Sequence, residues 1–271
     1  MEQAQRYAWV GRRTVEGWLS YGACQMIIGV SRAQHSLGVT GNVAEIGVHQ
    51  GRLFVLLALL AQEGEEALAI DLFEQQEFNL DKSGAGDLSK FRANVRRHTG
   101  RRAPLVHRGD STILTGEAVK AIAGGPIRLF SVDGGHTEEI TLHDLETAEA
   151  SLATGGVIIL DDCFNGGWPG VISGTCRFLK DGHRRVVPFA IGCNKTFFAE
   201  PSFAKEFRLA MTRAPMARFV EQRFFGHAIT CFDYETPLTN LIRASGLWKT
   251  IKTTQIGLLL KDVYAKVSAL R

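Results

Sequence analysis

The fold of this chain is decided by one stretch, Asn42-Val43-Ala44-Glu45-Ile46-Gly47-Val48-His49-Gln50-Gly51. An apolar run of strand length leads into two glycines, and the apolar residues 52–61 that follow have the length of a helix. Glycine lets the backbone turn sharply and approach a ligand closely. The stretch therefore predicts a strand, a tight turn and a helix, with a binding site at the turn.

Outward from this stretch, apolar runs of strand length alternate with segments of helical periodicity. The predicted strands cover residues 42–48, 67–70, 104–107, 127–132 and 157–160, and the predicted helices cover residues 52–61, 90–98, 117–123 and 142–153. Such alternation is typical of βαβ units, so we expect an α/β fold with a doubly wound, mostly parallel sheet. Residues 186–190 and 195–199 predict a terminal antiparallel hairpin, which completes a seven-stranded sheet.

Three parts of the chain differ in pattern. Residues 1–40 are predicted to form an N-terminal helical cap, and residues 41–200 form the sheet domain. Residues 201–271 are predicted to be a mainly helical appendage of the same domain, with a helix at 203–211, an extended segment at 228–232 and helix again to Arg271. This appendage is expected to serve as a cap or as the surface of a homodimer.

Composition excludes several classes of protein. With 45% hydrophobic and 22% charged residues among 271, the chain is neither disordered, collagen-like nor a coiled coil. Its longest apolar run, residues 53–61, is shorter than the roughly 20 residues of a membrane span. Five scattered cysteines without a CxxC pair argue against a disulfide framework or a zinc cluster. A formal charge of +3 gives no indication of nucleic-acid binding. We therefore expect a cytoplasmic protein with no nucleic-acid or membrane partner.

An acidic residue follows the second predicted strand. Asp71 comes about 20 residues after Gly51, and a carboxylate at this place can accept hydrogen bonds from both hydroxyls of a ribose. The glycine spacing is GxxxG, which differs from the GxGxxG of nicotinamide-dinucleotide sites. The pattern therefore predicts a nucleoside-type ligand, with a purely structural turn as the alternative.

Further acids follow the fourth and fifth predicted strands. Asp133 comes after one, and Asp161 and Asp162 end the next. Three carboxylates that converge would repel one another strongly, and a hard divalent cation such as Mg²⁺ would relieve this repulsion. The alternative is that these acids cap helices or face water. We expect metal binding.

Two histidines lie near these strand ends. His136 follows Asp133 across two glycines, which predicts a tight turn that aims the imidazole back at the site. A histidine that titrates near neutrality is the usual general base for a hydroxyl proton, although a loop histidine without a role is the alternative. His49 lies in the glycine turn, where it could contact the ligand.

These residues together resemble the class I S-adenosylmethionine-dependent methyltransferases. Within that class, the chain is similar to the metal-dependent O-methyltransferases of the catechol and macrolide-sugar types. The resemblance covers about residues 40–200. It is carried by residues 45–51, Asp71, the turn Gly109-Asp110-Ser111, residues 132–136 and residues 155–162. Residues 161–171 are similar to a bacterial subgroup linked to glycan or natural-product modification.

The resemblance implies a set of site residues. The residues that would bind S-adenosylmethionine are Glu45, Gly47, His49, Gly51, Asp71, Asp110, Ser111 and Asp133. Those that would hold the metal, Mg²⁺, are Asp133, Asp161 and Asp162. His136 falls where the catechol type keeps a catalytic lysine, so His136 and Asp133 are the predicted catalytic residues. Asp162 replaces an asparagine of the catechol type, which adds negative charge and should tighten metal binding. The histidine in place of the lysine argues against a catechol as the acceptor.

The expected function is therefore a divalent-metal-assisted O-methyltransferase that uses S-adenosylmethionine. Its expected partner is a small-molecule or saccharide acceptor, methylated on a hydroxyl of a sugar, glycan or natural product. An O-methyltransferase of phenols or catechols and a metal-independent methyltransferase remain open within the class. A nicotinamide-dependent oxidoreductase and a non-catalytic nucleoside-binding protein remain open outside it.

Overall fold

The computed structural model describes residues 1–100, 103–213 and 217–234. Within these ranges the chain forms α-helices α1 (Glu2–Trp9), α2 (Tyr21–Ser36), α3 (Arg52–Leu60), α4 (Leu88–Thr99), α5 (Gly116–Ala123), α6 (Glu138–Ser151), α7 (Pro169–Lys180) and α8 (Pro201–Thr212). The strands are β1 (Asn42–Ile46), β2 (Ala67–Asp71), β3 (Leu105–Arg108), β4 (Ile127–Val132), β5 (Leu152–Asp161), β6 (Val187–Gly192), β7 (Lys195–Ala199), β8 (Ala217–Phe224) and β9 (His227–Tyr234).

The strands form one mixed sheet in the order β3-β2-β1-β4-β5-β7-β6-β9-β8. Strands β1 to β5 are parallel, and β7 runs antiparallel to both β5 and β6. β1 has β2 on one side and β4 on the other. Strands β2 and β3 are added on one side of β1, and β4 and β5 are added on the other, so the strand order reverses at β1. Ligands of open parallel sheets bind at such a reversal, outside the carboxyl ends of the strands.

Apolar side chains cover both faces of the sheet. One core includes residues of α1, α2, α3 and α8, and the other includes residues of α5, α6 and α7. Every residue of α3 from Leu53 to Leu60 is buried. A helix that is apolar all round has to be covered on every side. Contacts of α3 with α1, α2 and α4 provide this cover, so the N-terminal helices complete the core.

The α/β fold with a mostly parallel sheet and an antiparallel hairpin is confirmed, but the predicted number of strands is wrong. Nine strands lie within the described ranges, because β9 pairs parallel to β6 and β8 pairs antiparallel to β9. The prediction of a mainly helical segment from residue 201 holds for α8 and fails at residues 217–224. β8 is an edge strand on which Phe219 and Val220 are half exposed. It therefore lacks the alternation by which a half-buried strand is recognised.

The predicted helix up to Arg271 lies outside the described residues, since residues 235–271 are not among them. The predicted boundaries at residues 40 and 200 stay predictions. In the parts of the chain that the structure describes, no helix is both long and apolar enough to cross a membrane.

Candidate active site

The turn after β1 requires glycine at two positions. Gly47 has φ +80°, and a Cβ atom there would lie 1.7 Å from the carbonyl oxygen of Asp133. Gly51, with φ +90°, begins α3, and a Cβ atom there would lie 2.9 Å from Cδ2 of Phe91. The sharp turn from β1 into α3 that the glycines predicted is confirmed, and it also brings the ends of β1 and β4 into close contact.

Asp71 at the end of β2 is held in place by this turn. Its Oδ2 accepts a hydrogen bond from the backbone N–H of His49 (2.8 Å), and its Oδ1 accepts one from the backbone N–H of Phe73 (2.6 Å). Burial raises the pKa of Asp71, and the two backbone donors oppose this rise. Each carboxylate oxygen can accept a second hydrogen bond. Asp71 can therefore serve as an anchored acceptor for a ligand's hydroxyls.

A cavity of about 440 Å³ opens at the carboxyl ends of the parallel strands. The predicted residues that line it are Gly47, His49, Asp71, Asp110, Ser111, Asp133, His136, Asp161 and Asp162. Two other predicted residues do not line it. Glu45 is buried in the sheet beneath the turn, and Gly51 packs against Phe91. Their contribution to a ligand site is therefore indirect.

Glu45 is an unusual buried acid. It is 2% exposed, and its Oε2 has no hydrogen-bond partner among the described residues. Burial and the nearby Asp133 raise its pKa well above the usual value, while Lys195 acts in the opposite direction. Glu45 thus contributes to a group of carboxyls that extends from β1 to the end of β5.

Both carboxylate oxygens of Asp161 have partners within the protein. Its Oδ1 accepts hydrogen bonds from the backbone N–H of Asp162 (2.9 Å) and from Nδ2 of Asn194 (3.0 Å). Its Oδ2 forms an ion pair with the ammonium group of Lys195. Lys195 is 3% exposed. Burial alone would lower its pKa, but Asp161, Asp133 and Glu45 raise it, so this lysine is a buried cation.

The atoms best placed for a cation come from Asp133, His136 and Asp162, whose ligand atoms lie within 4.8 Å of one another. Among the described residues, this trio shares Asp133 and Asp162 with the predicted set and has His136 in place of Asp161. Burial and the neighbouring Asp161 raise the pKa of Asp133 well above its usual value. Hydrogen bonds from His136 and Asn194 oppose the effect of burial on Asp162 and lower its pKa to about 2.

His136 lies between two carboxylates. The glycine turn before it predicts that the imidazole faces the site, but it does not predict these two partners. Its Nδ1 is 2.8 Å from Oδ2 of Asp81, and its Nε2 is 3.3 Å from Oδ2 of Asp162. Trp168 stacks on the imidazole at 4.3 Å between ring centroids. Burial would lower the pKa of His136, but Asp162 and Asp81 raise it to about 9. In this structure the pKa of His136 therefore lies above the usual value of 6.5.

Three residues at this site were not predicted. Asp81 lies on the loop between β2 and α4, and Asn194 and Lys195 lie at the turn between β6 and β7. The sequence predicts the position of Lys195 but does not identify it as a site residue. The predicted hairpin puts Lys195 at the start of its second strand, and in the sheet Lys195 pairs with Asp161 in antiparallel register. No local pattern points to Asp81.

Comparison with known proteins agrees with this geometry. Residues 44–163 match the model of a family described as a methyltransferase domain. The fold is similar to that of the O-methyltransferase NovP, with a TM-score of 0.52, 14% identity and coverage of 65% of this chain and 80% of NovP. It is also similar to the O-methyltransferase TomG from Streptomyces achromogenes, solved in complex with SAM, with a TM-score of 0.51 and 14% identity over 74% of this chain and 89% of TomG.

No curated protein matches the chain significantly. The matched residues run from β1 to the residue after Asp162, so they include the glycine turn, Asp71 and the acids of β4 and β5. Residues 44–163 therefore match a methyltransferase domain, and the chain shares the fold of the O-methyltransferases NovP and TomG.

Proposed function

We propose that this protein transfers a methyl group from S-adenosylmethionine to a hydroxyl of a sugar, glycan or natural product, with the assistance of a divalent cation. One observation carries the proposal. Asp71, which suits a ribose, and the trio of Asp133, His136 and Asp162 line the same cavity. A nucleoside site and a site for hydroxyl activation are therefore close enough to act on one reaction.

The cofactor half of the cavity is built from Gly47, His49, Asp71, Asp110 and Ser111. Without a side chain, Gly47 allows a ligand to approach the backbone at the reversal point of the sheet. Asp71 would accept hydrogen bonds from the ribose hydroxyls. When bound, S-adenosylmethionine supplies the methyl group from a positively charged sulfonium. The match to a methyltransferase domain favours this cofactor over a nicotinamide dinucleotide.

The donor set suits a hard divalent cation. Carboxylate oxygens are the ligands that Mg²⁺ prefers, and the Asp133 carboxyl lies against that of Asp161 in a buried setting. Two such carboxyls in contact are stabilised by a shared proton or by a cation. Asp133 and Asp162 would hold the cation, with His136 and the Asp161 carboxyl close by. When bound, the cation supplies Lewis acidity and orients the acceptor oxygen.

His136 is the proposed general base. Nδ1 contacts Asp81, so Nε2, which lies 3.3 Å from Oδ2 of Asp162, is the nitrogen that would take the hydroxyl proton. Nε2 accepts this proton as the oxygen forms its bond to the methyl carbon and the bond from that carbon to sulfur breaks. The base has to begin this step without a proton, and its pKa of about 9 keeps it protonated at neutral pH in the free protein. The rate should therefore rise with pH between about 7 and 9.

The mouth of the cavity favours an acceptor with an apolar part. Trp18, Phe78 and Leu80 line the cavity and are 63%, 54% and 73% exposed. Large exposed apolar side chains around a cleft are typical of ligand-binding surfaces. A glycosylated natural product would present both a hydroxyl for His136 and an apolar body for these side chains. A phenolic natural product is the second candidate, because an aromatic ring fits the same mouth.

The experiment is a methyl-transfer assay with labelled S-adenosylmethionine and a panel of glycosides and phenols, each with Mg²⁺ or with EDTA. We expect transfer to a glycoside in Mg²⁺ and its loss in EDTA. His136→Ala should abolish turnover while it keeps the affinity for S-adenosylhomocysteine. His183→Ala, at an exposed histidine outside the cavity, is the matched control. Wild-type rates for His136→Ala would exclude it as the base, and full activity in EDTA would exclude the role of the metal.

A further inference from the structure

Phe164, Phe224 and Phe225 form an aromatic cluster that the proposed reaction does not use. The ring centroids of Phe164 and Phe224 are 5.5 Å apart, and those of Phe224 and Phe225 are 5.1 Å apart. Phe164 is 55% exposed and Phe225 is 39% exposed, so part of each ring faces solvent. Large apolar side chains that are exposed together are typical of a binding surface, whereas single exposed ones are common everywhere.

We propose that this aromatic cluster binds a ring system of the acceptor while the acceptor's hydroxyl lies at His136. The inference rests on the proposed function and narrows it, because it names an aromatic or polycyclic body as the part of the acceptor next to the reacting hydroxyl. The three phenylalanines would contact the acceptor away from its reacting atoms. They are therefore residues that determine specificity.

The position of Phe164 is the first support. It lies in a turn that Asn165 closes by donating from its backbone N–H to the Asp162 carbonyl (3.0 Å) and from its Nδ2 to the Asp162 carboxylate (2.7 Å). Asp162 and Asn165 both line the cavity. Because consecutive Cα atoms are about 3.8 Å apart, the Cα atom of Phe164 is at most about 8 Å from that of Asp162. A ring system next to a bound hydroxyl can reach this far.

The backbone at Phe225 is the second support. Phe225 and Gly226 join β8 to β9 and have φ +50° and +79°. Two positive φ values in a two-residue hairpin loop are typical of a type I′ turn, which prefers Asn-Gly. A bulky residue with a positive φ is uncommon and costs stability. The turn itself therefore gives no reason for phenylalanine at this position, whereas contact with a ligand does.

The exposed area favours a small molecule over a second copy of the chain. A phenylalanine side chain presents about 200 Å² when uncovered, so the exposed parts of Phe164 and Phe225 amount to roughly 200 Å². A stable protein interface buries about 800 Å² on each partner. The ring system of a small molecule can be covered by the smaller area, through offset-stacked or edge-to-face contacts.

The test is the binding of 2-naphthyl β-D-glucoside, measured by titration calorimetry in Mg²⁺, with and without S-adenosylhomocysteine. Methyl β-D-glucoside is the probe that has the sugar without the rings. We expect the wild type to bind the naphthyl glucoside at least about tenfold more tightly than the methyl glucoside. Phe164→Ala and Phe225→Asn should each weaken the binding of the naphthyl glucoside by about 3- to 10-fold.

Phe219→Asn is the matched control, because Phe219 is also an exposed phenylalanine of the hairpin and its ring contacts Phe232, outside the cluster. It should bind the naphthyl glucoside as the wild type does. Phe225→Asn should melt at the wild-type temperature or above it, since Asn-Gly suits the turn. Its weaker binding would then not reflect unfolding.

Wild-type affinity in both Phe164→Ala and Phe225→Asn would overturn the inference, as would equal affinity of the wild type for the two glucosides or binding of neither. A wild-type dimer in sedimentation that Phe225→Asn dissociates would overturn it as well, and would assign the aromatic cluster to a second copy of the chain. Binding that the two variants weaken, without methyl transfer to any acceptor, would count against the proposed function and leave the ring contact standing.

Discussion

Asp81 and His136, 55 positions apart in the sequence, are joined by two contacts to one oxygen. Oδ2 of Asp81 accepts a hydrogen bond from the backbone N–H of His136 (2.6 Å) and lies 2.8 Å from its Nδ1. Asp81 is itself fixed by Ser83, which donates to its Oδ1 from the backbone (2.9 Å) and from its hydroxyl (2.6 Å). The loop at the cavity mouth therefore orients the proposed base.

The first prediction concerns the pKa of His136. Asp81→Asn should lower this pKa from about 9 toward the usual value, because one of the two carboxylates that stabilise the imidazolium is removed. The measurement is an NMR titration of the histidine side chains in EDTA. Glu77→Gln changes an exposed acid on the same loop and should leave the pKa unchanged. An unshifted pKa in Asp81→Asn would show that Asp81 does not stabilise the imidazolium of His136 in solution.

The second prediction concerns stability as a function of pH. The pKa of His136 is raised in the folded protein, from a usual value of 6.5 to about 9. Its contribution to stability is therefore complete below about pH 6.5 and is lost as the pH rises through about 9. In EDTA, the free energy of unfolding of the wild type should fall over this range more steeply than that of His136→Gln. Urea denaturation at a series of pH values measures both, and parallel curves would contradict the prediction.

The third prediction separates a steric effect from a backbone effect at two glycines. Gly47 and Gly64 have nearly the same φ, +80° and +82°, but only at Gly47 would a Cβ atom meet another group. Gly64→Ala should cost about 1–2 kcal/mol of unfolding free energy, the usual cost of a left-handed conformation with a side chain. Gly47→Ala should cost clearly more, because its Cβ collides with the Asp133 carbonyl. Chemical denaturation of both variants tests this, and equal losses would refute the collision.

The parts of the site that the sequence predicted follow from local rules. Glycine at a turn and an acid at the end of a strand are recognisable within a few residues, and parallel strands bring their carboxyl ends to one edge of the sheet. These rules predict Asp71, Asp133, Asp161 and Asp162, and all four line the cavity. The strand order that brings them together is the usual one for alternating strands and helices.

Asp81 and Lys195 could not be identified by the same rules. Asp81 lies in a loop of exposed polar and glycine residues, and its partner His136 is on a different loop. Lysine is almost never fully buried, so a lysine at the start of a hairpin strand is expected to face water. Only the register of β5 against β7 reveals that Lys195 faces Asp161. Both contacts arise from tertiary structure, which local patterns do not encode.

The last prediction concerns Asp71 and the cofactor. Asp71→Asn removes the negative charge that would accept the ribose hydroxyls, while its size is kept. Hydrogen bonds to a charged group contribute about 1.5–3 kcal/mol, which corresponds to a loss of affinity of roughly 10- to 150-fold. Titration calorimetry with S-adenosylhomocysteine should show a loss in this range.

Asp87→Asn is the matched control, since both acids accept a hydrogen bond from a backbone N–H. Asp87 receives its bond from Lys90 (2.9 Å) at the start of α4 and does not line the cavity. A general loss of stability would affect the two variants alike, whereas a ribose contact would weaken binding only in Asp71→Asn. Wild-type affinity in Asp71→Asn would mean that the Asp71 carboxylate only stabilises the turn, through its hydrogen bonds with His49 and Phe73. The nucleoside would then bind elsewhere in the cavity.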